Sequence, residues 1–80
     1  MITGKIQLSN NMEAIKKLNT ALNQLDCDVD LRQGRYVIDG KSIMGMFSLN
    51  LLDMIEIMIH TDDEAQIAPI RSYILEYSVA

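Results

Sequence analysis

The chain has 80 residues, 49% of them apolar and 22% charged, with a net charge of −4 and a pI near 4.6. That length supports one domain, residues 1–80, stabilised by a single core, and the apolar content argues against disorder. The acidic balance argues against non-specific nucleic-acid binding, which needs clustered Lys and Arg; only Lys16 and Lys17 are adjacent here. No apolar run approaches the roughly 20 residues that span a bilayer. The first residues, MITGKIQLSNN, lack the apolar stretch and cleavage pattern of a secretory signal. A cytoplasmic protein without a membrane segment is the expectation. The lone Cys27 fits it: one Cys forms no internal disulfide, and one Cys with one His builds no metal cluster. With one Phe and no Trp, the core has to be built from Ile, Leu and Met. The six Met suit irregular packing or an adaptable surface.

The first element reads as a strand. Ile2, Gly4, Ile6 and Leu8 alternate with Thr3, Lys5, Gln7 and Ser9, giving one apolar and one polar face. The period then becomes helical: Met12, Ile15, Leu18, Leu22 and Leu25 share a face, with Ala21 at its margin and Lys16, Lys17, Asn19 and Asn23 facing away. Asn10 with Glu13 three residues later resembles a capping box. Period two returns in CDVDLRQGRYVID, where Cys27, Val29 and Leu31 oppose Asp28, Asp30 and Arg32. Gln33-Gly34 supplies a tight turn, and Arg35 to Asp39 pairs back as the second strand of a hairpin.

After Gly40, SIMGMFSLNLL reads as a short helix of eight to ten residues with Ser42 as its cap. Gly45 inside it costs about 1 kcal/mol against Ala, which a close approach of another element would justify. Met54 to His60 is a strand with Ile55, Ile57 and Ile59 facing inward. Thr61 with Glu64 marks a second capping box, opening a last helix with Ile67, Ile70, Ile74 and Tyr77 at helical spacing. Pro69 either kinks that helix or delays its regular part to about Ala68. The order β-α-β-β-α-β-α predicts an α+β domain, a largely antiparallel sheet with helices on one face.

Chemistry-bearing residues are sparse. His60 closes a strand on its polar face beside Thr61 and Asp62, and reads as a solvated strand-end histidine. Cys27 lies on an apolar face, the setting of a packing cysteine and not of a reactive thiolate. The alternating Asp26, Asp28 and Asp30 fit a solvated face, and Asp62-Asp63-Glu64 fits a helix N-terminus. There is no glycine-rich phosphate loop, and no metal or cofactor is expected. Ser42 is explained by capping alone. A phosphate there would also meet exposed backbone N–H groups and the positive end of the helix, with Lys41 as a nearby cation.

The stretch Lys41-Ser42-Ile43-Met44-Gly45, followed by Met46, Phe47 and Ser48, resembles the regulatory-serine segment of the HPr family. HPr is the small phosphocarrier of the bacterial phosphoenolpyruvate-dependent sugar phosphotransferase system. The element order is similar to that family's along nearly the whole chain. The resemblance implies an HPr-like open-faced sandwich, β-α-β-β-α-β-α, with a four-stranded antiparallel sheet covered by three helices. It also implies that Ser42 corresponds to the serine that a dedicated kinase phosphorylates in Gram-positive bacteria, the modified protein then docking on a transcriptional regulator. Ser42 is thus the candidate modification site, and Lys41, Met44, Met46 and Phe47 the candidate protein-binding residues. Between first strand and first helix the family carries Gly-Leu-His-Ala-Arg-Pro, whose histidine caps the helix and holds the phosphoryl group. This chain has Ser9-Asn10-Asn11-Met12-Glu13-Ala14 there, with histidine, arginine and proline all missing and a shorter connection. The strand order expected by resemblance puts His60 at the far end of the first strand, out of reach of that site. The expected function is that of a non-enzymatic HPr-like protein acting through the Ser42 helix on a protein partner, a phosphotransferase-system component or a transcriptional regulator. The alternatives are a degenerate phosphocarrier that still relays phosphate, and a module that homodimerises through its apolar helix.

Overall fold

A computed structural model describes residues 1–8 and 11–79, with side chains through Leu75. Five strands form one antiparallel sheet in the order β3-β2-β4-β1-β5: β1 (Ile2–Ile6), β2 (Val29–Gln33), β3 (Tyr36–Asp39), β4 (Ile55–Ile59) and β5 (Ile74–Val79). Helix α1 (Met12–Asn23), helix α2 (Ile43–Phe47) and a 3₁₀ segment (Glu64–Tyr73) cover one face. The fold is the open-faced α+β sandwich expected from the sequence, with a fifth strand added.

The core follows from the alternations. Ile2, Gly4, Ile6 and Leu8 are buried, as are Val29, Leu31, Ile55, Ile57 and Ile59, all against Ile15, Leu18 and Leu22 of α1. Among the described residues no polar or charged side chain is buried and no buried side-chain N or O lacks a partner. The apolar faces of β1, β2 and β4 therefore meet the helices, and their charged faces meet water.

Three expectations need correction at the level of elements. First, α1 is capped by Asn11, one residue later than expected; its side chain accepts from Glu13 N at 2.9 Å and from Ala14 N at 3.4 Å. Asn10 and Ser9 lie outside the described residues. Met12 immediately follows the cap and is 58% exposed, so the apolar stripe begins at Ile15. Asn19 does not face away but donates to Met46 Sδ at 3.6 Å. Second, α2 has five residues, Ile43–Phe47, and Leu49 and Leu51 reach the core from a following turn. Third, the C-terminal region is not an α-helix. Ile67 and Ile70 are buried and Tyr73 packs beside them, a spacing of three that suits the three-residue turn of a 3₁₀ helix. Pro69 inside it has no N–H to donate. Its cap is Asp63, which accepts from Ala65 N, while Thr61 Oγ1 accepts from Asp63 N. Ile74 and Tyr77, read as helical, lie instead in β5, which pairs along β1 with a register shift near Ile6.

Candidate functional site

Ser42 stands at the end of a tightly tied turn. Gly40 N donates to Val29 O at 2.7 Å, Lys41 N to Asp39 Oδ1 at 2.9 Å, and Ser42 N to Asp39 O at 3.0 Å. Gly40 is required by proximity: a Cβ there would lie 2.9 Å from Val29 Cγ1 and 3.1 Å from Val29 O. Ser42 Oγ accepts from Gly45 N at 3.2 Å, and Ser42 O accepts from Met46 N at 3.1 Å, so the residue caps α2 with both oxygens. Gly45 permits the close approach its position suggested: a Cβ would come 3.2 Å from Ile38 Cδ1 of β3.

The residues expected around Ser42 divide sharply. Met44 is 77% exposed and Phe47 40% exposed. Met46 is completely buried, which removes it from any contact surface; it anchors the helix to the core, with Ile43 packed partly buried against the same core. Lys41 is committed elsewhere. Its ammonium donates to Leu25 O at 2.7 Å and its own carbonyl accepts from Asn23 Nδ2 at 3.1 Å. The last turn of α1 contains no basic residue, so Lys41 brings positive charge to that negative helix end. Leu52, exposed in the turn after α2, extends the apolar surface.

His60 follows β4 at the same end of the sheet as Gly40, because the register sets Gly40, Val29, Ile59 and Ile2 in one row across the strands. Its Nε2 lies 2.8 Å from Asp30 Oδ2 and its backbone N donates to Asp28 O. The register pairs Ile59 with Ile2 and Ile55 with Ile6, so His60 adjoins the start of β1 and Asn11 follows its far end. The length of β1, roughly 15 Å, separates them. Beside His60 the N-terminal ammonium pairs with Asp62, donating to its carboxylate and holding that carboxyl below its ordinary range. Cys27 is a free, half-buried thiol packed against the core. No group of three or more His, Cys, Asp or Glu among the described residues is placed to hold a metal ion.

Two features went unseen in the sequence. The Gln33 amide binds the backbone of Asn50 twice, accepting from its N at 2.7 Å and donating to its O at 2.8 Å. Gln7 Nε2 donates to Leu52 O at 3.0 Å. These two glutamines tie down the turn between α2 and β4, and nothing but their places near strand ends marks them. The second is a shallow cleft of about 270 Å³ on the open sheet face, lined by Lys5, Arg32, Gln33, Met54 and Glu56. Arg32 and Glu56 close it with an ion pair at 3.1 Å.

Two solved structures superpose on this chain over most of its length. The crystal structure of HPr-C-His from Thermoanaerobacter tengcongensis superposes with a TM-score of 0.74 at 16% identity, over 92% of this chain and 90% of that one. The chain has the HPr fold. A second HPr phosphocarrier, from Bacillus anthracis, gives a TM-score of 0.68 at 21% identity, over 91% of this chain and 96% of that one. No protein-family model matches the sequence, and no curated protein matches it. Among the described residues no helix is long and apolar enough to cross a membrane.

Proposed function

We propose that this is a non-enzymatic HPr-like protein that does not carry phosphate on histidine and acts as a regulatory, protein-binding module through the segment headed by Ser42. One observation carries the reading. Within an HPr fold, the position that caps α1 is held by Asn11, and the single histidine lies at the other end of β1. An amide caps a helix well but has no imidazole nitrogen to take a phosphoryl group. The half of the fold that keeps its chemistry is the capped turn at Ser42, flanked by exposed Met44 and Phe47. Lys41 takes no part in phosphate recognition in this reading, because its ammonium serves Leu25 O. The partner is a protein of the phosphotransferase system or a transcriptional regulator, contacted in the cytoplasm.

Two labelling experiments test this. With enzyme I of the sugar phosphotransferase system and labelled phosphoenolpyruvate, the protein should stay unlabelled. Acid-labile, alkali-stable phosphate on His60 would establish the alternative, a degenerate relay. With an HPr serine kinase and ATP, the wild type should be labelled and Ser42→Ala should not; label that persists in the variant removes Ser42 from the reading.

A further inference from the structure

The sheet ends on β3, and this edge is complementary to itself. Gly40 N donates to Val29 O, and the β2–β3 register runs unbroken from Asp30↔Asp39 to Gln33↔Tyr36. Bonded and non-bonded pairs alternate in an antiparallel ladder. Counting from Val29–Gly40, the bonded pairs are Leu31–Ile38 and Gln33–Tyr36. The peptide groups of Val37, and the N–H of Asp39, therefore point away from β2 toward the outside of the sheet. Tyr36 and Val37 are 73% and 56% exposed. β3 contains no Lys, Pro or bulge, the devices that ordinarily keep an edge from pairing with another chain.

We propose that β3 pairs antiparallel with β3 of a second copy of this chain, about a twofold axis through Val37. On that axis Val37 faces its own copy as a bonded pair, the pairing its outward peptide groups allow. Tyr36 then faces Ile38 of the other copy, and Arg35 faces Asp39, twice by symmetry. Arg35 has no ion-pair partner among the described residues, and Asp39 none beyond its hydrogen bond from Lys41 N. Neighbouring registers lose this match. An axis through Ile38 sets Arg35 against Lys41, and one through Tyr36 sets Arg35 against Val37 and Asp39 against Gln33. The contact is isologous, so it closes as a dimer and joins the two five-stranded sheets edge to edge. It is independent of any role for Ser42.

Sedimentation equilibrium over a wide concentration range provides the test. The wild type should show a reversible monomer–dimer equilibrium. Val37→Pro removes an N–H that the monomer does not use, and should be monomeric with an unchanged far-ultraviolet circular dichroism spectrum. Arg35→Asp and Asp39→Arg should each weaken self-association about tenfold, through like charges facing across the axis. Mixed together, the two variants should recover association, because in the heterodimer each Asp faces an Arg. A wild type that is monomeric throughout overturns the proposal. So does a dimer that survives Val37→Pro, or one broken by Phe47→Ser instead.

Discussion

Single residues at the Ser42 turn carry more of the structure than their exposure suggests. Gly40 is held so close to Val29 that any side chain overlaps both a side-chain carbon and a backbone oxygen. The backbone oxygen cannot move without breaking the Gly40–Val29 hydrogen bond. We expect Gly40→Ala to cost about 1–3 kcal/mol of stability, the range of an overpacked core, read from the midpoint of urea denaturation. A change below the error of that measurement would show that the turn relaxes freely. Toward the middle of the same end of the sheet, the N-terminal ammonium lowers the Asp62 carboxyl. A carboxyl lowered by folding contributes stability that is complete above its unfolded value. That contribution is lost as pH falls through the folded value. The acid limb of stability should therefore contain a small component from Asp62 that disappears in Asp62→Asn. Acetylating the N-terminus should remove the same component, and an acid limb identical in all three proteins would refute the assignment.

At the scale of elements, the alternating strands and the α1 stripe were legible in the sequence because each has one wet and one dry face. The C-terminal region was not, for a physical reason. Ile67, Ile70, Ile74 and Tyr77 satisfy a helical spacing, but Ile67, Ile70 and Tyr73 satisfy a spacing of three equally well. Ile74 onward also contains the β-branched and aromatic residues that suit a strand. What decides is a tertiary fact that no local window contains: the outer edge of β1 is open, and β5 fills it. Truncation after Tyr73 should therefore expose that edge. Alternate backbone amides of β1 should exchange quickly with deuterium, while those bonded to β4 stay protected. Uniform loss of protection along β1 would mean that β5 is needed for the whole fold. The candidate site divided in the same way. Ser42 and Gly45 were readable because capping and close packing are local. The burial of Met46 and the commitment of Lys41 to Leu25 depend on where α1 lies.

The whole molecule is organised around its first strand. β1 lies between β4 and β5, pairing Ile2 with Ile59 on one side and with Val79 on the other. Only the β2–β3 hairpin joins strands that are neighbours in sequence and separated by a tight turn. In that turn Gly34 takes a positive φ of 61°, which lets the hairpin close locally. Every other pairing waits for distant segments, and the N-terminal strand cannot complete its bonding until the last residues of the chain arrive. Loop closure of that length must precede the contacts that repay it. We therefore expect folding on the millisecond-to-second scale of domains rich in non-local pairs, not the microseconds of helical ones. Stopped-flow refolding across a denaturant series measures this directly. Gly34→Ala, which forces a side chain into the left-handed region, should slow refolding if the hairpin is formed in the transition state. If it speeds unfolding alone, the hairpin forms late, and the β1–β4 pair becomes the element around which the sheet assembles.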